Sequence, residues 1–304
     1  MNTQANNIRT GAVDLGGTTI KIGILEGNRI LKKQEIPAQS SGQLSARLEE
    51  IALALEAMTE PGESLSGVAF SFPGIVDPIR HQVISSSNKF QDAVGLDLPG
   101  WARERLSLPF LMENDANAAL IGECRKGCGQ GIANAVLLIL GTGVGTAALM
   151  DGRLVRGAHF QAGVLGGHFK TALNEAACTC GSPGCLEAVV GSWAVPRLSA
   201  GRFPAYRELL DACRRNDREA VELLDDVITQ WARGIATLIH AYDPDVVILS
   251  GGVMQGYDLF GDQLKVRVCQ RIWAPWGGPA FRMAEHPDQS VLLGLHALME
   301  ETLQ

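Results

Sequence analysis

Two stretches of this chain, DLGGTTIKIGI from Asp14 to Ile24 and LGTGVGTAALM from Leu140 to Met150, share one plan. Each runs from an apolar strand through a glycine turn into a second strand. Glu26-Gly27-Asn28 then turns the first stretch into another extended segment from Arg29, and Asp151-Gly152 makes a hairpin turn after the second. One plan met twice predicts a duplicated α/β chain, a class that usually places its active cleft between the halves.

The segments between fit that frame. LSARLEEIALALEAM has helical spacing, SGVAFSFPGIVDP is a buried strand broken at Pro73-Gly74, and LDLPGWARERL reads as a short helix. PFLMENDANAALIGECRKG is a strand that becomes a helix at Asn114-Asp115. After a cysteine-rich loop the chain is helical from Ala205 through DDVITQWARGIATLIHAYD. It returns to a buried strand in DVVILSGGVM and ends in the amphipathic SVLLGLHALMEETL. With 304 residues, two domains are expected. The expected division is a smaller one over 1–119, with the C-terminal helix 291–304 packing back on it, and a larger one over 120–290.

A net charge of −7 without a long basic run argues against nucleic acid or an anionic membrane as partner. No signal-peptide pattern opens the chain, and runs such as AVLLIL are too short to cross a bilayer, so a cytoplasmic location is expected. Seven cysteines in a reducing compartment suit free thiols or a metal better than full pairing.

The glycine turns suggest what is bound. In DLGGTTIK, Gly16 and Gly17 let the backbone aim its N–H groups at an anion, with Thr18, Thr19 and Lys21 as further donors. Asp14, repelled by phosphate, makes sense only near a cation or a water on Mg²⁺. An ordinary glycine hairpin explains the same letters equally well. Gly141, Thr142, Gly143 and Gly145 repeat the device, without matching a Rossmann fingerprint or a P-loop. Gly251-Gly252, after the strand DVVI, would let a flat ring lie against the backbone, or would simply turn a strand into a helix.

Taken in order, DLGGTTIKIGI, SFPGIVDP, MENDANAAL, LGTGVGTA, CTCGSPGCLE, DPDVVILSGGV and LLGLHAL resemble the ROK family of repressors and sugar kinases, over nearly the whole chain. The resemblance implies the two-domain, ribonuclease-H-like fold of actin and hexokinase with an interdomain cleft. It also implies ATP-dependent phosphorylation of a hexose or hexose derivative at the 6-hydroxyl, with Mg²⁺ on the nucleotide. No helix-turn-helix segment stands before Asp14, which weighs against the repressor branch. The family is often dimeric, and nothing in the sequence decides between a homodimer and a monomer.

By resemblance Asp115 is the general base that accepts the sugar's hydroxyl proton, and Asn114 binds neighbouring hydroxyls. The pair read without that context is a helix N-cap. Asn88 and Glu187 match sugar-contacting positions; read alone they are a turn residue and a solvated acid at a helix start. Asp14, Gly16, Gly17, Thr18, Thr19 and Lys21, with the turn Gly141–Gly145, would surround the phosphates of ATP, and Gly251 and Gly252 would lie under the nucleoside.

Cys178, Cys180 and Cys185 form C-x-C-x4-C, with His168 ten residues ahead. Three thiolates and one imidazole would make a closed, structural Zn²⁺ site; a disulfide among the thiols is the alternative. Such a metal would brace the loop carrying His168 and Glu187, both placed at the sugar. The segment AGVLGGH departs from the family pattern: Val164 stands where a sugar-binding glutamate is expected and one extra glycine precedes His168, which puts glucose as substrate in doubt. A non-catalytic sugar sensor is the second reading. An actin-like ATPase is a third, and it leaves the cysteines unexplained.

Overall fold

The computed structural model describes residues 8–86, 89–171 and 176–304. By contact the chain divides into two compact units: Met1–Gln130 with Gly157–Phe160 and Asp288–Gln304, and Gly131–Arg156 with Gln161–Pro287.

In the first unit β1 (Arg9–Leu15), β2 (Thr19–Glu26) and β3 (Arg29–Pro37) form an antiparallel meander. Helix α1 (Ser45–Met58) crosses over to β4 (Gly67–Phe72), parallel to β1. A hairpin, β5 (Gly74–Asp77) and β6 (Gln82–Ser86), and the short α2 (Leu98–Trp101) lead to β7 (Phe110–Asn114), parallel to β4. Every residue of β4 and β7 is buried, as expected of parallel strands covered on both faces. On one face Val13, Phe70 and Met112 pack with Ile51 and Leu55 of α1. On the other, Ala12, Ala69 and Leu111 meet Ala118 of α3 (Asp115–Lys126) and Leu292, Leu295 and Met299 of the C-terminal helix α9 (Ser290–Leu303).

Helices α3 and α9 touch backbone to backbone. A Cβ on Gly122 would overlap the Ser290 carbonyl oxygen, and one on Gly294 would overlap that of Ala118. This contact keeps all of α3 in the first unit, so the division drawn near residue 119 falls inside a helix and residues 120–130 pack with 1–119.

The second unit repeats the pattern. Strands β8 (Ala135–Leu140), β9 (Val144–Met150) and β10 (Arg153–Leu154) form a meander, and β8 is parallel to β11 (Val246–Ser250), itself parallel to β12 (Ala280–Met283). The short α4 (Leu186–Val190) and α5 (Val195–Leu198) precede α6 (Tyr206–Arg214), α7 (Arg218–Tyr242) and α8 (Tyr257–Cys269), which gather around the fully buried Trp231. With only the strands of each sheet numbered in chain order, both mixed five-stranded sheets run 3-2-1-4-5. The duplication read from the two glycine turns is thus present in the topology. Among the described residues no helix is long and apolar enough to cross a membrane.

Candidate active site and metal centre

In both units the singled-out residues sit where parallel strands end, the side on which open α/β sheets bind ligands. In the first unit, β1 ends in the Gly16-Gly17 turn and β7 ends in Asn114, with Asp115 opening α3. Asp14 lies directly across from Lys21 on β2 and from Ser71 on β4. The Ser71 hydroxyl donates to Asp14 Oδ1 at 2.7 Å. Burial raises the Asp14 carboxyl above its ordinary range, against the pull of Ser71, Lys21 and Lys89.

Asp115 is half-buried, and its Oδ1 is committed: the Ala116 N–H donates to it at 2.8 Å and the Asn114 amide at 3.1 Å. Desolvation, then repulsion from Asp14, pushes its pKa up to about 6, with Lys89 drawing it back. A carboxylate of that basicity is suited to accept a proton near neutral pH. Asn114 realises the N-cap reading: its Oδ1 accepts from the Asn117 N–H at 3.1 Å, and its Nδ2 also donates to the Gly74 carbonyl at 3.0 Å. The buried Glu113 accepts from the Asn114 N–H and the Asn117 amide, at 2.8 and 3.0 Å, so the whole strand–helix junction is held by carboxamides and carboxylates. Asn88 lies outside the described residues.

In the second unit, Gly141 and Gly252 stand at the ends of the neighbouring strands β8 and β11, with nothing within 4 Å of where a Cβ would be. Gly251 has φ +99°, and a Cβ there would overlap the Leu140 carbonyl, so the position requires glycine. Glu187, half-buried in the first turn of α4, reaches the other glycine turn: its Oε2 accepts from the Val144 N–H at 2.9 Å, and its Oε1 from the Thr179 hydroxyl at 3.2 Å. Gly143 is glycine because that carboxylate occupies the Cβ position.

The second unit also holds the cluster His168, Cys178, Cys180 and Cys185, whose donor atoms all fall within 4.8 Å of one another. Cys178 Sγ is 3.6 Å from His168 Nδ1, and Cys180 Sγ is 3.6 Å from Cys185 Sγ. Tetrahedral Zn²⁺ with bonds of about 2.0–2.3 Å sets its ligand atoms about 3.5–3.8 Å apart, so the residues fit the metal. The cysteines are free thiols. Burial pushes the Cys178 thiol up to about 11, a cost that a bound dication reverses. Lys170 donates to Cys185 Sγ at 2.9 Å and to Ser182 Oγ and the Pro183 carbonyl, both at 2.8 Å.

The two glycines before His168 are packed against β9: a Cβ on Gly166 would meet the Thr146 side chain and one on Gly167 the Val144 carbonyl. The fully buried Thr146 fixes the segment carrying Val164 from both sides. Its hydroxyl donates to the Gly163 carbonyl at 2.6 Å and accepts from the Gly166 N–H at 2.8 Å. Three side chains here escaped the sequence reading. Ser71, Lys89 and Lys170 reach the site only through tertiary contact, and only Ser71 had a signal, its place in a buried strand one residue before Phe72.

The sequence profile of the ROK family matches residues 10–302. The chain belongs to the ROK family. A glucokinase from Thermotoga maritima is 29% identical over 96% of this chain and 97% of its own length. A beta-glucoside kinase from Listeria innocua is 29% identical, over 97% and 99% respectively. The crystal structure of the ROK glucokinase from Streptomyces griseus, bound to glucose and AMPPNP, superposes with a TM-score of 0.80 at 27% identity, covering 95% of this chain and 98% of that one. The Cys/His cluster is consistent with the zinc motif of this family.

Proposed function

We propose that this ROK protein is an ATP-dependent kinase of a hexose or hexose derivative, acting at the 6-hydroxyl with Asp115 as general base. The observation that carries this reading is the Asp115 carboxyl. One of its oxygens is fixed by two donors, its basicity is raised to about 6, and it opens α3 at the end of β7 within electrostatic reach of Asp14. Asp115 takes the hydroxyl proton as the sugar oxygen bonds to the γ-phosphorus; the bond from that phosphorus to the β,γ-bridging oxygen breaks, and ADP is the leaving group, while Mg²⁺ would neutralise charge on the nucleotide. In this reading Asp14, Gly16, Gly17, Thr18, Thr19 and Lys21 are phosphate contacts. Gly141, Thr142, Gly143 and Gly145 are further phosphate contacts, and Gly251 and Gly252 carry the nucleoside. Asn88, Asn114, His168 and Glu187 are the sugar contacts. The glucose and AMPPNP held by the Streptomyces griseus relative support the pairing of sugar with nucleotide. The test is coupled ATP consumption across a sugar panel; binding of a sugar without turnover of any would mark the protein as a sensor instead.

Val164 sets an expectation for that panel. Glucose is expected to rank below a hexose epimer, an N-acetylhexosamine or a glycoside, because valine accepts no hydroxyl hydrogen bond. Restoring the acceptor with Val164→Glu is expected to raise kcat/KM for glucose about ten- to hundredfold, the equivalent of one buried polar contact. Thr146 fixes the segment on both sides, so the change stays local. An unaltered sugar ranking in the variant would remove position 164 from the pocket.

His168, Cys178, Cys180 and Cys185 would hold a structural Zn²⁺, which supplies rigidity to the loop and leaves no open position for chemistry. The ammonium of Lys170 offsets the negative charge of three thiolates. Lys170→Met is therefore expected to speed transfer of zinc to a chromophoric chelator about tenfold, the scale of an outer-sphere contact, with Lys170→Arg close to wild type. Equal rates in all three proteins would reduce Lys170 to a loop tie.

A further inference from the structure

Lys89 is placed by a chain of contacts that none of the readings above uses. Phe90, fully buried with φ +47°, donates its N–H to the Ser40 carbonyl at 2.7 Å. The hydroxyl of that same serine donates to the Gly17 carbonyl at 2.5 Å. Ser40 thereby ties the segment carrying Lys89 to the Gly16-Gly17 turn. The lysine side chain lies across that turn, with Cε 2.9 Å and Nζ 3.1 Å from where a Cβ on Gly17 would be. Glycine at 17 is what leaves room for it.

The charge environment is specific. Lys89 acts electrostatically on both Asp14 and Asp115, while Lys21 and Lys33 act on Asp14 from β2 and β3. The Lys21 ammonium is turned to the Asp288 carbonyl, 3.3 Å away. Among the described residues no carboxylate closes on Lys89 as an ion pair. A half-buried ammonium is thus held over a turn of phosphate-binding type, on the side where the raised carboxyl of Asp115 sits. Transfer of a phosphoryl group is limited by charge on its oxygens, and a preorganised cation at that point is the usual remedy.

We propose that Lys89 is a catalytic cation of the first unit, its ammonium neutralising the transferring phosphoryl group while Asp115 takes the hydroxyl proton. The proposal rests on the kinase reading, and the experiment separates the two. Wild-type sugar-dependent ATP consumption tests that reading alone. Lys89→Met is expected to lower kcat about 10²- to 10³-fold with the KM for sugar within threefold, and Lys89→Arg to recover at least tenfold of the loss. Because Lys89 favours the ionised form of Asp115, its removal is expected to move the acidic limb of the kcat profile to higher pH, which loss of packing would not do. Independently of turnover, calorimetry is expected to show Lys89→Met binding AMPPNP about tenfold more weakly while ADP binds as before, since only the former offers a γ-phosphate. Equal loss for both nucleotides, or no loss for either, would overturn the proposal even in an active enzyme. So would a kcat within threefold of wild type.

Discussion

Asp115→Asn is expected to lower sugar-dependent ATP turnover about 10²- to 10⁴-fold, the range supplied by a positioned general base. The carboxamide keeps the shape and can still accept from the Ala116 N–H, so the junction between β7 and α3 should survive. The folded-state pKa of Asp115 lies above the ordinary 3.8, at about 6. A carboxyl shifted that way costs stability as pH rises from about 4 through about 6, and the full cost is present at neutral pH. Asparagine carries no such cost, so the variant is expected to melt no lower than wild type at pH 7 while being inactive. The same pKa places the acidic limb of the wild-type profile: activity falls as pH drops through about 6, because the base is then protonated. Turnover that persists in the variant within tenfold of wild type would remove Asp115 from the base position.

Gly294→Ala is expected to destabilise the protein by about 3–5 kcal/mol, among the largest effects a single methyl can have. Helix propensity alone predicts the opposite sign, since alanine is better than glycine by about 1 kcal/mol inside a helix. The new methyl would overlap the Ala118 carbonyl oxygen, a backbone atom of α3 that cannot step aside. Relief requires α9 to lift off, which uncovers Leu292, Leu295 and Met299 together. Gly141→Ala is the control, because nothing stands within 4 Å of the added methyl. Its melting temperature is expected to match wild type, whereas Gly294→Ala falls by about 10 °C. Matching temperatures for both variants would mean that the two helices do not cross as closely as described.

The lesson from the sequence divides along the same line. Elements with strong local patterning were legible: the repeated strand–glycine–strand plan, the passage from β7 into α3, the long α7, and the four metal-type ligands within one short stretch. Two elements of the second unit were not. Helix α8, YDLFGDQLKVRVC, scatters its apolar residues and buries only Phe260, Gly261, Leu264 and Val268. The edge strand β12 has four residues and no fully buried position. Glycine at 122 and 294 reads as a defect in each helix taken alone, because its benefit is a contact between segments far apart in sequence. Lys89 illustrates the same limit. Its neighbours in the chain give no hint of Gly17, and only the shared serine at position 40 brings them together. Asn114 shows the converse, in that the helix N-cap its place in the sequence suggests is present in the structure.

The two matching sheets invite a residue-for-residue superposition of their first strands. Leu15-Gly16 in one falls on Leu140-Gly141 in the other, which sets Asp14 against Ile139. The strand order is the same in both sheets while the polarity at this position differs. The first unit carries its carboxylate inside the leading strand, one residue before the leucine that precedes the turn, whereas the second sets an apolar side chain there and brings a carboxylate, Glu187, to its turn from a later helix.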